Sequence, residues 1–187
     1  MRIITGAAKG LRLKTLAGLN TRPTSDRVKE SIFSILNGLI DFYEIETVLD
    51  IFAGTGALGL ESISRGAKSA VFVDNATADL IAENIRRTKF ENCKVLREDF
   101  TKALKKLSAQ NLKFALIFSD PPYNKSLAQN SINLVAEMDL LNEGGLIVVE
   151  HGINENLNAP ENLNCIRKIT YGHTTAIDIY ELKGRNL

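Results

Sequence analysis

From Glu46 onward, short apolar runs alternate with amphipathic segments, and this alternation constrains the fold more than any other feature of the chain. The runs fall at Thr47–Phe52, Ala70–Asp74, Lys94–Leu96, Phe114–Ser119 and Leu146–Glu150. Helical spacing fills the intervals at Leu58–Arg65, Thr77–Lys89, Phe100–Leu107 and Ser126–Met138. Apolar strands separated by helices predict an α/β fold, with a mostly parallel sheet covered on both faces. Two further strand-like runs, Asn164–Thr170 and Ala176–Leu182, flank Tyr171-Gly172-His173 with no room for a crossover helix. They are expected to close the sheet as an antiparallel hairpin.

About 45 residues precede the first core strand. Gly6, Gly10 and Gly18 punctuate the first twenty, which read as a hairpin or arm. In "RPTSDRVKESIFSIL", Thr24 or Ser25 is placed to cap a helix whose apolar positions are Val28, Ile32, Ile35, Leu36 and Leu39. The expected division is an arm and helix over residues 1–45 and a larger domain over 46–187. Residues 1–30 hold seven basic and two acidic side chains, a net +5 in a chain whose total is +1. A basic arm on a mildly acidic body suits a polyanionic partner, with a solvated surface as the plain alternative. No apolar run reaches the ~20 residues of a membrane span, and MRIITGAAKG has no signal-peptide core. Two separated cysteines and two histidines, His151 and His173, make neither a disulfide framework nor a metal site. No metal is expected, and the cytoplasm is the expected compartment.

Four aspartates, Asp50, Asp74, Asp99 and Asp120, fall at or just after strand ends. In open α/β sheets that edge is where ligands bind. Gly54-Thr55-Gly56-Ala57-Leu58-Gly59 fits G-x-G-x-x-G between a strand and a helix, so the backbone there can turn tightly and approach a ligand. Asp50, four residues upstream, favours a cationic or amino-bearing ligand over a bare pyrophosphate. Asp74 can accept ribose hydroxyls, and Asp99 suits either an adenine amine or the N-cap of the helix at Phe100.

Asp120-Pro121-Pro122-Tyr123 follows the fourth apolar run. The prolines cannot continue a central strand, and they fix φ, so they hold the Asp120 carboxylate and the next carbonyl in a stiff loop. Two acceptors beside an aromatic face suit an exocyclic amine on a planar base. Accepting both N–H hydrogens favours a pyramidal nitrogen with an exposed lone pair, while Tyr123 stacks the base. The residues alone leave the base open, so adenine N6 and cytosine N4 stand beside guanine N2. A nicotinamide-dependent oxidoreductase is the alternative from another class, and it leaves the Asp120 loop without a task.

"LDIFAGTGALGLE" and "SDPPY" resemble the Rossmann-like class I S-adenosylmethionine-dependent methyltransferases that modify amino nitrogens. With "RPTSDRVKESIFSIL" and "YGHTTAIDIY", the chain from about Arg2 to Tyr180 resembles the bacterial 16S rRNA guanine-N2 methyltransferase family (RsmD-like). That resemblance implies a seven-stranded sheet and S-adenosylmethionine as cofactor. The implied substrate is a guanine of 16S rRNA (guanine 966 in reference rRNA numbering), in an assembling small subunit, for a monomeric enzyme. Carried across, it implies that Asp50, Gly54 and Gly56 shape the methionine end, Asp74 holds the ribose and Asp99 lies near the adenine. Phe52, Asn75 and Phe100 join them in cofactor binding. Asp120, Pro121 and Tyr123 position the target amine, and Lys9, Arg12, Arg22 and Arg27 meet the RNA. Tyr123 stands where relatives often carry Phe, Asp74 where Glu is commoner, and Leu11 where Arg is usual.

Overall fold

The computed structural model describes residues 1–15, 26–123 and 126–184. Its elements in chain order are α1 (Asp26–Leu36), a 3-10 turn (Phe42–Glu44), β1 (Thr47–Ile51), α2 (Ala57–Ser64), β2 (Ser69–Val73), α3 (Ala78–Thr88) and β3 (Cys93–Leu96). There follow α4 (Phe100–Ala109), β4 (Phe114–Ser119), α5 (Leu127–Glu137), β5 (Leu141–Gly152), β6 (Leu163–Tyr171) and β7 (Thr175–Leu182). The strands form a seven-stranded sheet in the order β3-β2-β1-β4-β5-β7-β6. Two compact units make up the chain, Met1–Arg97 and Glu98–Leu187.

In the first unit β1, β2 and β3 are parallel, with Asp50 opposite Phe72 and Phe72 opposite Val95. Val48, Leu49, Ile51, Phe72 and Val73 are buried on successive positions of their strands. Burial without alternation is what a parallel strand covered on both faces requires. The N-terminal arm is a hairpin: Ile3 N–H donates to the Leu11 carbonyl, Gly10 N–H to the Ile3 carbonyl, and Leu13 N–H to the Met1 carbonyl.

Helix α1 differs from its expected apolar stripe. It ends at Leu36, so Leu39 lies beyond it and is exposed, and Val28 is only half-buried. Lys29, Ile32, Phe33 and Leu36 form the buried face instead. Ile32 and Leu36 of the expected stripe are buried, and a cation, Lys29, and an aromatic, Phe33, complete the i, i+3, i+4, i+7 face in place of Val28 and Leu39. The expected caps Thr24 and Ser25 lie outside the described residues.

In the second unit β4 pairs parallel with β5, β5 antiparallel with β7, and β7 antiparallel with β6. Strand β5 starts earlier than expected, at Leu141 rather than Leu146. The pairing moves from Phe114↔Leu141 to Leu116↔Leu146 through a bulge. Gly144 at φ 68 and Gly145 make that bulge; a Cβ on Gly145 would lie 2.8 Å from the Asn142 carbonyl oxygen. The Gly-Gly pair reads as a turn in sequence, yet it serves here as an irregularity inside a strand.

Candidate active site

The glycine loop leaves β1 through three left-handed residues, Phe52 (φ 59), Gly54 (φ 57) and Gly56 (φ 77). Phe52 is the notable one, since a bulky side chain pays a steric cost in that region. Gly56 serves as the N-cap of α2, and its N–H donates to the Ala53 carbonyl at 2.7 Å. A Cβ on Gly54 would meet nothing closer than the Phe52 carbonyl oxygen at 3.9 Å, so its missing side chain keeps backbone accessible rather than relieving a clash. Gly59 has the opposite reason: a Cβ there would sit 2.4 Å from Phe72 Cε1, so α2 can lie this close to β2 only with glycine.

Asp50 is buried, and its Oδ2 accepts the Gly59 N–H at 2.9 Å. Asp50 Oδ2 therefore braces the first turn of α2 as an acceptor. Burial pushes its pKa up to about 8, against the pull of the Gly59 hydrogen bond and with a push from Asp74. Asp74 takes three backbone donors: Oδ1 accepts from Ala76 and Thr77, both at 2.8 Å, and Oδ2 from Gly54 at 3.0 Å. A carboxylate offers about four lone-pair positions, so Oδ2 keeps one for a further donor. Asn75 beside it is exposed.

In the second unit Asp99 is the N-cap of α4, accepting the Thr101 N–H at 3.0 Å, and the residue is exposed. The N-cap reading weighed from sequence is thus realised, and Phe100 follows half-buried as the first helical residue. Strand β4 ends at Ser119 as expected. Asp120 and Tyr123 are half-buried, Pro121 is buried and Pro122 exposed. The Tyr123 hydroxyl donates to Glu150 Oε1 at 2.6 Å and lies 3.0 Å from Thr175 Oγ1. Burial, then the bond to Glu150, drives its pKa well above the ordinary tyrosine value.

Lys9, Arg12 and Arg27 are exposed, while Arg22 lies outside the described residues. The arm that carries Lys9 and Arg12 is held through Glu61 of α2. The fully buried Glu61 carboxylate accepts the N–H groups of Ile4 (2.7 Å) and Thr5 (3.0 Å) and the Arg65 Nε–H (2.9 Å). Ser64 adds a hydroxyl bond to the Thr5 carbonyl at 2.6 Å and accepts the Ala8 N–H at 3.0 Å. Arg65 also lies 4.6 Å above the Phe33 ring. Sequence reading assigned no role to Glu61, Lys29, Glu150 or Thr175. The available signal was a charge within an apolar stripe or run, as at Lys29 in α1, Glu61 in "ALGLESIS" and Glu150 after "LIVV".

His173 is exposed between β6 and β7, and His151 is buried with Nδ1 donating to the Gly152 carbonyl and Nε2 3.5 Å from Asp178 Oδ1. His151 and Asp178 line a cavity of about 190 Å³. Since side chains alternate along a strand, this cavity opens on the face opposite Glu150 and Thr175.

Residues 1–180 match the family model described as conserved hypothetical protein 95. The ribosomal RNA small subunit methyltransferase D of Haemophilus influenzae is 35% identical over 176 residues, covering 92% of this chain and 89% of its own. The Escherichia coli K12 protein of the same name is 33% identical over 159 residues, covering 84% and 77%. The solved structure of yhhF from Escherichia coli superposes with a TM-score of 0.83 at 33% identity, over 98% of each chain. The sheet is that of the Rossmann-like class I methyltransferases, mostly parallel with antiparallel C-terminal strands. The chain belongs to the conserved hypothetical protein 95 family, which is RsmD-like and brings it together with the small-subunit rRNA methyltransferases D.

Proposed function

We propose that this protein transfers a methyl group from S-adenosylmethionine to the exocyclic N2 of a guanine in 16S rRNA, guanine 966 in reference rRNA numbering. The coarser statement follows from family membership: it is an S-adenosylmethionine-dependent rRNA methyltransferase. That membership also leaves no place for the nicotinamide-dependent reading. The Asp120-Pro121-Pro122-Tyr123 loop at the end of β4, with the ring of Tyr123 tethered at its hydroxyl, supports transfer to an exocyclic amine of a planar base, and the family resemblance supplies guanine N2 as that amine.

The residues of the first unit fit the cofactor by their donor and acceptor set. Gly54 exposes backbone with no side chain in the way, and Oδ2 of Asp74 has one lone pair left for a ribose hydroxyl. Asp50 keeps α2 and the glycine loop in shape through Gly59, and Phe52 is held in a left-handed conformation beside it. By the resemblance, Asp99 and Phe100 of the second unit serve the adenine end, and Asn75 of the first joins in cofactor binding. When bound, S-adenosylmethionine supplies an electrophilic methyl on a sulfonium.

In the second unit the work is orientation. Asp120 and the carbonyl behind it accept the two N–H hydrogens of the amine, Pro121 stiffens that pair, and Tyr123 stacks on the base. A delocalised amine becomes a nucleophile when its hydrogens are held out of the ring plane, and Asp120 is placed to take the proton the nitrogen sheds. The target guanine leaves its stack to reach this loop.

Residues 1–45 form the RNA-facing arm, through Lys9, Arg12, Arg22 and Arg27. The substrate is a small subunit in assembly, read largely by shape and met by a monomer in the cytoplasm. Mass mapping of rRNA from cells with and without this gene tests the reading. Loss of one guanine-N2 methylation is expected, and an unchanged pattern refutes the substrate.

A further inference from the structure

We infer that Glu150 and Thr175 are positioning residues for methyl transfer, which fix the Tyr123 ring against which the target base stacks. The inference rests on the proposed role of Tyr123 and adds to it two residues far along the chain, 27 and 52 positions downstream.

The phenol carries one hydrogen. It goes to Glu150 Oε1 at 2.6 Å, a short bond of the charge-assisted kind. The Thr175 hydroxyl at 3.0 Å is then the donor to the phenol oxygen. All three oxygens are therefore ordered in one direction, Thr175 to Tyr123 to Glu150. Glu150 is 9% and Thr175 5% exposed, so neither end of the chain moves freely. Thr175 pairs with Gly152 and Ile177 with Glu150 across the antiparallel β5 and β7. Glu150 and Thr175 thus emerge on the same face of two adjacent central strands, one pair apart. A Cβ built on Gly152 would lie 3.7 Å from Tyr123 Cβ, which puts that strand directly beneath the aromatic residue.

An aromatic platform held only by its backbone would rock and slide. Here Pro121 and Pro122 restrict the backbone on one side, and the sheet grips the far tip of the ring. A buried phenol left without an acceptor would cost free energy, and Glu150 supplies that acceptor. A stacking surface fixed at both ends holds the base in one plane, which is what alignment of the amine with the methyl demands.

The test uses the full chain, tritiated S-adenosylmethionine and small ribosomal subunits from cells lacking the gene, with tritium in RNA counted whichever base receives it. Tyr123→Phe and Glu150→Leu are each expected to lower kcat about tenfold, the effect of one hydrogen bond to a charged acceptor. The cofactor Kd should stay unchanged in both. Glu150→Gln keeps an acceptor and should restore kcat to within about threefold of wild type. The double variant Tyr123→Phe/Glu150→Leu should be no slower than the worse single one, because both remove the same bond. Wild-type kcat in Tyr123→Phe, or losses that multiply in the double variant, overturns the inference. Should Glu150→Leu fail to fold, Glu150→Gln in the Tyr123→Phe background replaces it: no added loss is expected, and an added loss overturns. Full transfer by Tyr123→Ala would instead remove the stacking role itself, and this inference with it.

Discussion

The Lys29 ammonium of α1 lies 3.2 Å from Oε2 of Glu61 on α2, and both side chains are fully buried. Lys29 also donates to the Arg2 carbonyl. One cation therefore ties together the arm, α1 and the helix that grows out of the glycine loop. Burial pulls the lysine pKa down while Glu61 holds it up. Lys29→Met should cost about 3 kcal/mol, because the buried Glu61 loses a countercharge. Urea unfolding measures this, and adding Glu61→Gln to Lys29→Met should recover part of the loss.

Two glycines of the arm hairpin separate steric from conformational cost. Gly6 and Gly10 have similar backbones, φ 84 and φ 86, but a Cβ on Gly6 would lie 1.6 Å from the Ser64 carbonyl oxygen while one on Gly10 meets nothing within 4 Å. Gly10→Ala should cost about 1 kcal/mol for its left-handed backbone. Gly6→Ala should cost several-fold more and release the arm from α2, measured as faster amide exchange at Ile4 and Thr5.

Asp50 gives stability a pH dependence of definite sign. Its unfolded carboxyl releases a proton near 3.8, while burial holds the folded one to about 8. The folded state then binds more protons between those values, so this group's contribution falls as pH rises from 4 to 8 and is level above. Asp50→Asn keeps an acceptor for Gly59 and removes the titration. Between pH 5 and pH 8 the wild type should lose about 3–4 kcal/mol relative to Asp50→Asn, read from urea midpoints at the two pH values.

On its proposed role, Asp120 should separate binding from chemistry. Asp120→Ala should leave S-adenosylmethionine affinity within about twofold by calorimetry while kcat falls roughly 10²–10³-fold. Equal loss of both would move Asp120 into the cofactor site.

The sheet was legible because its strands announce themselves locally. Phe114–Ser119 is unbroken apolar sequence stopped by two prolines, and β4 spans those same residues. The Asp99 cap is similarly local, since its acceptor and donor are two residues apart. What the sequence hid depends on partners brought together by folding. Nothing near Asp50 says that its carboxylate turns to Gly59, and nothing near Tyr123 names Glu150 or Thr175. Lys29 reads as a surface charge until α2 places Glu61 against it. Periodicity assigns faces, and it is blind to a charge whose counterpart lies on another element.

The grip of Glu61 on Ile4 and Thr5 carries a consequence for biosynthesis. The arm leaves the ribosome before α2, and its acceptor lies 57 and 56 residues later in the chain. At roughly 5–20 residues per second, the hairpin waits several seconds for the helix it docks on. Until then its basic side chains are untethered in the immediate surroundings of ribosomal RNA. Anchoring of the arm is complete only later still, when α3 supplies Asn84 to accept the Lys14 N–H.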